Sequence, residues 1–255
     1  MSGLILPRRR FLGGLAVGTG ALALGGCDAI TENESVLNTI RKADRLTYGA
    51  QRILVDRQAL AQEFTMADLS PTFRANGSTM VDTPAYQQHI AERFANWQLR
   101  VDGLVAKPQS FSMAQLMAMP SREQITRHDC VEGWSAIGQW RGTPLALILK
   151  AAGLSNRTRY IVFHCADTLD GRRYYESVDL VDAFHPQTIL AWSMNGAMLP
   201  VAHGAPLRLR VERLLGYKHA KYVERIEAVT SFANIHQGKG GFWEDGSDYE
   251  WYGGI

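Results

Sequence analysis

Arg127-His128-Asp129-Cys130-Val131-Glu132-Gly133-Trp134-Ser135 places a thiol beside His and Arg, with a carboxylate two residues on. Nearby cations lower a thiol's pKa, and the thiolate is the form that binds soft metals. A simple zinc site wants further Cys or His at short ligand spacings, and none surrounds Cys130. Thiolate catalysis wants a base. His128 is a candidate, although residues two apart in a strand merely share a face. On chemistry alone, a buried structural cysteine is the favoured reading of Cys130.

Two later stretches suit an anion. His203-Gly204-Ala205-Pro206-Leu207-Arg208 and Leu215-Gly216-Tyr217-Lys218-His219-Ala220-Lys221 combine glycines with cations. Glycine allows close backbone approach, and Arg208, Lys218 and Lys221 can neutralise negative charge. A Gly-led turn can also offer amide donors to phosphate. Neither a Walker loop nor a Gly-x-Gly-x-x-Gly fingerprint is present. Each stretch alone reads as turn glycines with solvated charges; together they suit a polar, phosphate-bearing ligand.

The elements that must position these residues are short and mixed. Val36, Leu37, Ile40, Leu46 and Ile53 have spacings compatible with an amphipathic helix within 28–60. Residues 65–84, rich in Pro, Gly, Ser, Thr and Asn, read as an irregular loop. Leu99 and Val101, then Asp102-Gly103, then Leu104-Val105 predict a hairpin. Ser112 caps a helix running to Met119 and stopped at Pro120. Thr143 as cap and Pro144 as first residue begin another, Leu145 to Ala152, ended by Gly153. Tyr160–Cys165, Leu207–Val211 and Tyr222–Val229 read as strands, and no repeat is visible. The mixture predicts one strand-rich α+β domain.

Composition narrows the class. The chain has 255 residues, 46% hydrophobic and 20% charged, which excludes a disordered or disulfide-stapled chain. Its net charge of +2 comes from 27 basic and 25 acidic side chains. Arg8, Arg9 and Arg10 sit in an acid-free start, so a chain beginning at Cys27 has 24 basic against 25 acidic groups. No basic face remains for nucleic acid. Beyond Cys27 the cysteines are Cys130 and Cys165; a disulfide between them is possible, but two are no framework.

The start reads as an address. Pro7-Arg8-Arg9-Arg10-Phe11-Leu12, followed by an apolar run to Gly26, resembles a twin-arginine export signal, the route for proteins exported already folded. Leu24-Gly25-Gly26-Cys27 resembles a lipobox, with Cys27 as the lipidated first residue. The expectation is a signal over 1–26 and a periplasmic protein anchored to a membrane surface by lipid.

Cys130-Val131-Glu132-Gly133-Trp134, Trp140-Arg141-Gly142-Thr143-Pro144-Leu145, Asn195-Gly196, His203 to Arg208 and Gly216-Tyr217-Lys218 occur in that order. The series resembles the molybdopterin-binding domain of the sulfite oxidase family, most of all its bacterial methionine-sulfoxide-reductase branch. The resemblance runs from about Trp97 to the C-terminus, with an echo at Arg74-Ala75-Asn76-Gly77. It implies the sulfite-oxidase-type fold over 97–255 together with 60–96, behind a helical and loop region over 27–96. It implies Mo-molybdopterin as cofactor and Cys130 as the protein thiolate on molybdenum, the remaining ligands coming from the pterin dithiolene and oxygen. Asn76, Cys165, His203, Arg208, Lys218 and the His219-Ala220-Lys221 segment match positions that hold the pterin and its phosphate. Cys165 and His203 depart from that pattern, standing where the branch carries threonine and asparagine. A cofactor loaded before export agrees with a folded-export signal.

The implied reaction is oxygen-atom transfer with two electrons, reducing a sulfoxide such as methionine sulfoxide, with Glu132 relaying protons. Electrons would come from a haem-containing membrane or periplasmic partner. No Cys-x-x-Cys-His places a haem on this chain, and the resemblance leads to the expectation of a chain without the C-terminal dimerisation domain of true sulfite oxidases. Oxidation of an oxyanion such as sulfite is the alternative direction. A ligand-binding lipoprotein on the same fold, or a thiol enzyme built on Cys130 and His128, are alternatives of other classes.

Overall fold

In the computed structural model, the described residues are Ser35, 46–247 and 249–255. The predicted signal residues Arg8, Arg9, Arg10 and Cys27, and the apolar positions Val36, Leu37 and Ile40, lie outside them. The chain divides into two units, 1–56 and 57–255. In the first, residues 46–54 are helical, with Leu46 and Ile53 exposed. Among the described residues no helix is long and apolar enough to cross a membrane.

The second unit is built on two five-stranded sheets. One has the order β2-β1-β10-β5-β6, formed by β1 (Gln98–Gly103), β2 (Gln109–Ser112), β5 (Tyr160–Leu169), β6 (Arg172–Asp179) and β10 (Val223–Val229). β1 and β10 run parallel, with Arg100 opposite Arg225, and the other pairs are antiparallel. The second sheet has the order β3-β4-β7-β8, from β3 (Arg122–Cys130), β4 (Trp134–Pro144), β7 (Ile189–Met194) and β8 (Ala197–Met198). Here β9 (Arg208–Arg210) also pairs with β7.

Alternation explains β1: Leu99 and Val101 are buried, while Gln98 and Gly103 are exposed. β7 is buried at every position, as expected of a strand flanked on both sides. The main core joins the sheets through Leu99, Val101, Phe163 and Ile226 of the first, Leu190 and Leu209 of the second, and one helix between. Each such side chain contributes roughly 1.5–3 kcal/mol by leaving water.

Helices are short: α1 (Pro84–Ala91), α2 (Met113–Ala118), α3 (Leu145–Ala152), α4 (Leu180–Ala183) and α5 (Phe242–Ser247). Ser112 and Gln115 form the cap of α2, as the sequence predicts, and Gly153 ends α3 with φ 70°. Three expectations are corrected. Thr143 does not cap α3; it is the penultimate residue of β4 and its hydroxyl donates to the Leu116 carbonyl at 2.8 Å. The hairpin's second arm is Gln109–Ser112, because Leu104-Val105 belongs to the connection. Cys130 and Cys165 are free thiols, not a disulfide.

Candidate functional site

Cys130 ends β3 opposite Trp134, the first residue of β4. Val131, Glu132 and Gly133 make the turn, closed by the Gly133 N–H on the Cys130 carbonyl at 3.0 Å, with Gly133 at φ 84°. Glu132 accepts from the Trp134 indole at 2.9 Å. The long β3–β4 ladder thus fixes where the thiol and carboxylate stand.

Cys130 and Glu132 line a cavity of about 260 Å³ together with Asn76, Asp167, His219 and Lys221. The Asn76 amide donates to the Cys130 sulfur at 3.7 Å. Burial pushes the thiol's pKa up, as does the Glu132 charge; the Glu132 backbone N–H, Asn76 and the charge of Arg208 oppose this. The Lys221 ammonium donates to the carbonyls of Asn76 at 2.6 Å and Ala202 at 3.1 Å, and to that of Ser78. Burial lowers its pKa to about 7, with Arg208 adding to the effect.

Arg208 and Arg210 alternate on one face of β9, and both guanidinium groups sit over the buried Trp140 ring, at 5.3 Å and 4.4 Å. Their partners differ. Arg210 is paired with Glu212, and its second arm reaches His128 Nδ1 at 3.1 Å. Arg208 is 1% exposed and donates to the His203 carbonyl at 3.4 Å. Its Nε has no partner, and among the described residues no carboxylate ion-pairs with it. Burial, then Arg210, draws its pKa down to about 9. An unneutralised buried cation is costly unless an anion joins it.

The other residues singled out from sequence are placed as follows. His203 packs edge-on to Phe73 at 5.7 Å, and its Nδ1 is buried without a partner. His219 meets His128 edge-on at 5.0 Å. Ala220 packs into the main core. Lys218 does not line the cavity; its ammonium is buried between Glu176 and Glu244, the latter at 2.6 Å. Cys165 is in the main core and borders a different cavity, about 710 Å³, lined also by Trp97, His164 and Arg225. The two cavities share Tyr174. In the larger one Arg100, Arg173 and Arg225 are already paired with Asp102, Glu224 and Glu227. His128 is held neutral by burial and its cationic neighbours, and is tied to Arg210 rather than to Cys130. That arrangement gives no support to a Cys130–His128 thiol enzyme.

The model of the oxidoreductase molybdopterin-binding domain matches residues 85–236. The chain belongs to this family. As a molybdopterin oxidoreductase it has the strand-rich α+β fold expected from its motifs. It is 36% identical over 98% of its length, and 86% of the relative's, to a chain of Azospira oryzae provisionally named protein-methionine-sulfoxide reductase subunit YedZ1. It is 36% identical over 52% of its length to the protein-methionine-sulfoxide reductase catalytic subunit MsrP of Ralstonia nicotianae, spanning 44% of that protein. Among solved structures, the sulfane dehydrogenase SoxCD of Paracoccus pantotrophus shares the fold, with TM-score 0.50 and 22% identity over 54% of this chain and 39% of that one.

The residues present fit a molybdopterin. A phosphate would complete the Arg208 guanidinium, whose Nε has no partner, and the thiol at the cavity suits a soft metal. Among the described residues no three His, Cys, Asp or Glu side chains cluster as a metal site. A metal held by Cys130 therefore needs a chelate that brings its own ligands. Two groups of residues escaped sequence reading. Asp167 lies two residues beyond Cys165 in β5, and a carboxylate inside an apolar strand was a usable signal. Trp243 and Tyr249 line the Cys130 cavity from the C-terminal segment, and no spacing pointed to them.

Proposed function

We propose that this molybdopterin oxidoreductase carries molybdenum and reduces a sulfoxide, methionine sulfoxide being the expected case. The observation that carries the reading is the buried Arg208 guanidinium, which has no carboxylate partner among the described residues and whose charge acts on the Cys130 thiol of the adjoining cavity. The names of the Azospira and Ralstonia relatives support the sulfoxide. When bound, Mo-molybdopterin supplies a two-electron metal that accepts an oxygen atom. The protein's part is to hold and to protonate. Cys130 supplies a thiolate to the metal, with Asn76 donating to its sulfur. Arg208, His203 and Lys221 hold the anionic end of the pterin. Glu132, lining the same cavity, delivers protons to the departing oxygen, since sulfoxide plus two electrons and two protons gives sulfide plus water.

A haem-containing membrane or periplasmic protein returns the electrons. Arg8-Arg9-Arg10 and Leu24 to Cys27 support folded export and a lipid anchor. Replacing Arg9 and Arg10 by Lys should then stop export, and Cys27→Ala should free the exported protein from the membrane fraction.

Metal and pterin analysis of the purified protein, beside methionine-sulfoxide-dependent oxidation of a reduced dye, tests the reading. Molybdenum with a pterin fluorophore and sulfoxide turnover is the expected result. A protein without either group, or a loaded protein inert toward sulfoxides, would overturn it.

A further inference from the structure

The Cys130 cavity has an aromatic wall that lies outside the stretch matched by the family model. Trp243 and Tyr249 both line the cavity, their rings stacked 25° apart in plane with centroids at 5.7 Å. Tyr217, on the facing turn, meets Tyr249 edge-on at 5.2 Å. The wall is held firmly. Phe242, one residue before, stacks on Tyr174 at 5.2 Å, and Glu244, one residue after, takes the Lys218 ammonium. The Tyr217 hydroxyl donates to the Glu250 carbonyl at 2.6 Å. These contacts join α5 to the Gly216–Lys218 turn.

Charge on the lining points the same way. It offers two carboxyl groups, Glu132 and Asp167, the second with its pKa raised by burial against the pull of Ser78 and Lys221, and one ammonium, Lys221, which the reading above assigns to the anionic end of the pterin. His219 is held neutral, chiefly by burial. An oxyanion wants converging cations and donors. An uncharged sulfoxide with an alkyl arm wants an acid for its oxygen and a polarizable apolar face for its carbon and sulfur, and aromatic rings attract sulfur directly.

We propose that Trp243 and Tyr249 are specificity-determining residues that receive the alkyl arm of an organic sulfoxide, while Glu132 and Asp167 bias the cavity against oxyanions such as sulfite. The proposal rests on the sulfoxide reading above and assigns the residues that enforce it.

The test uses the full-length, molybdenum-loaded protein with methionine sulfoxide and dimethyl sulfoxide as substrates and sulfite as competitor. Trp243→Ala should raise KM for methionine sulfoxide about tenfold and that for dimethyl sulfoxide less than about threefold, with kcat little changed. Trp243→Phe should restore most of the difference. Should Trp243→Ala lose its molybdenum, Tyr249→Leu carries the same comparison. Asp167→Asn should strengthen sulfite inhibition about fivefold or more at unchanged molybdenum content. Independently of turnover, methionine sulfoxide should quench tryptophan fluorescence in the wild type and much less in Trp243→Phe. A loaded wild type that turns over sulfite and no sulfoxide overturns both the reading and the wall. Sulfoxide turnover with KM for the two sulfoxides raised equally, or not at all, overturns the wall alone.

Discussion

The Asn76 side-chain amide donates to the Cys130 sulfur at 3.7 Å, and the Asn76 backbone carbonyl takes the Lys221 ammonium at 2.6 Å. One loop residue therefore touches both the thiol proposed for the metal and a cation proposed for the anion. Because the second bond is made by the backbone, mutation can separate the two contacts. Asn76→Ala keeps the carbonyl and removes only the donor to sulfur. A hydrogen bond to a charged group contributes about 1.5–3 kcal/mol, so activity should fall roughly tenfold or more while most molybdenum is retained. Cys130→Ser should abolish turnover in a folded protein, since an alkoxide is a poorer match for the metal. Full activity in molybdenum-loaded Cys130→Ser would remove the thiolate assignment.

Arg208 and Lys218 stand ten residues apart and are both buried, yet their substitutions should fail in different ways. Arg208 has no carboxylate partner among the described residues, whereas Lys218 has two. Arg208→Ala should purify as a folded protein largely lacking molybdenum. Lys218→Met removes the cation held between two buried acidic side chains, and breaking such a cluster typically costs about 3–5 kcal/mol. In a chain of this size that lowers Tm by about 6–20 °C. Metal content and thermal denaturation, measured on both variants, should move in this crossed pattern. Equal metal loss without any difference in Tm would remove the distinction.

Glu176 gives that cluster a pH dependence. Burial raises its pKa well above 4.5, and Glu244 adds to the rise against the pull of Lys218. A carboxyl protonated in the folded chain and ionised in the unfolded one favours folding most at low pH. Its contribution fades as pH rises above about 4.5 and is lost once pH passes the folded-state value. Glu176→Gln keeps the neutral form at every pH, so its Tm should decline less steeply than the wild type's on the alkaline side. Parallel Tm profiles for the two proteins would contradict the raised pKa of Glu176.

His203 works in the opposite sense. Burial, then Arg208 and Lys221, lower its pKa from 6.5 to about 4. Between those values the unfolded chain binds the proton that the folded chain refuses, so stability falls as pH drops from about 6.5 toward 4. His203→Asn should flatten this acid limb by less than one proton, because the ring is only half-buried and solvent screens its charge. Denaturant titrations of the metal-free protein at pH 7 and pH 5 read the difference directly.

What could be read from sequence was local chemistry. The Ser112 cap, the Gly153 stop and the alternation of Leu99 and Val101 each follow from neighbours a few residues apart, and the structure keeps them. Thr143 misled because a hydroxyl before Pro144 looks the same at a helix start and at the end of a strand; only the pairing of β4 with β7 decides. Lys218 looked like a member of a cationic loop because its partners, Glu176 and Glu244, come from β6 and α5. The aromatic wall was invisible for a similar reason. Trp243 and Tyr249 come to the same cavity as the Cys130 turn only through tertiary packing, and no motif joins residues that far apart.

Gly216 was legible as a site of close approach, although what approaches is protein. A Cβ built at this position would lie 2.6 Å from His128 Nε2 and 3.1 Å from the Asp129 carbonyl. His128 cannot retreat easily, being held by Arg210 through Nδ1 and packed against His219. The strain must therefore be relieved by moving the Gly216–Lys218 turn, which carries Tyr217 at the cavity and Lys218 in its carboxylate pair. Overpacking of this kind typically costs about 1–3 kcal/mol. Gly216→Ala should lower Tm by several degrees, reduce molybdenum content and raise KM for methionine sulfoxide together. Pairing it with His128→Ala, which removes the obstructing ring, should recover part of the metal loading. A Gly216→Ala protein with wild-type metal content and KM would show that the turn tolerates the methyl group and that its position does not set the cavity.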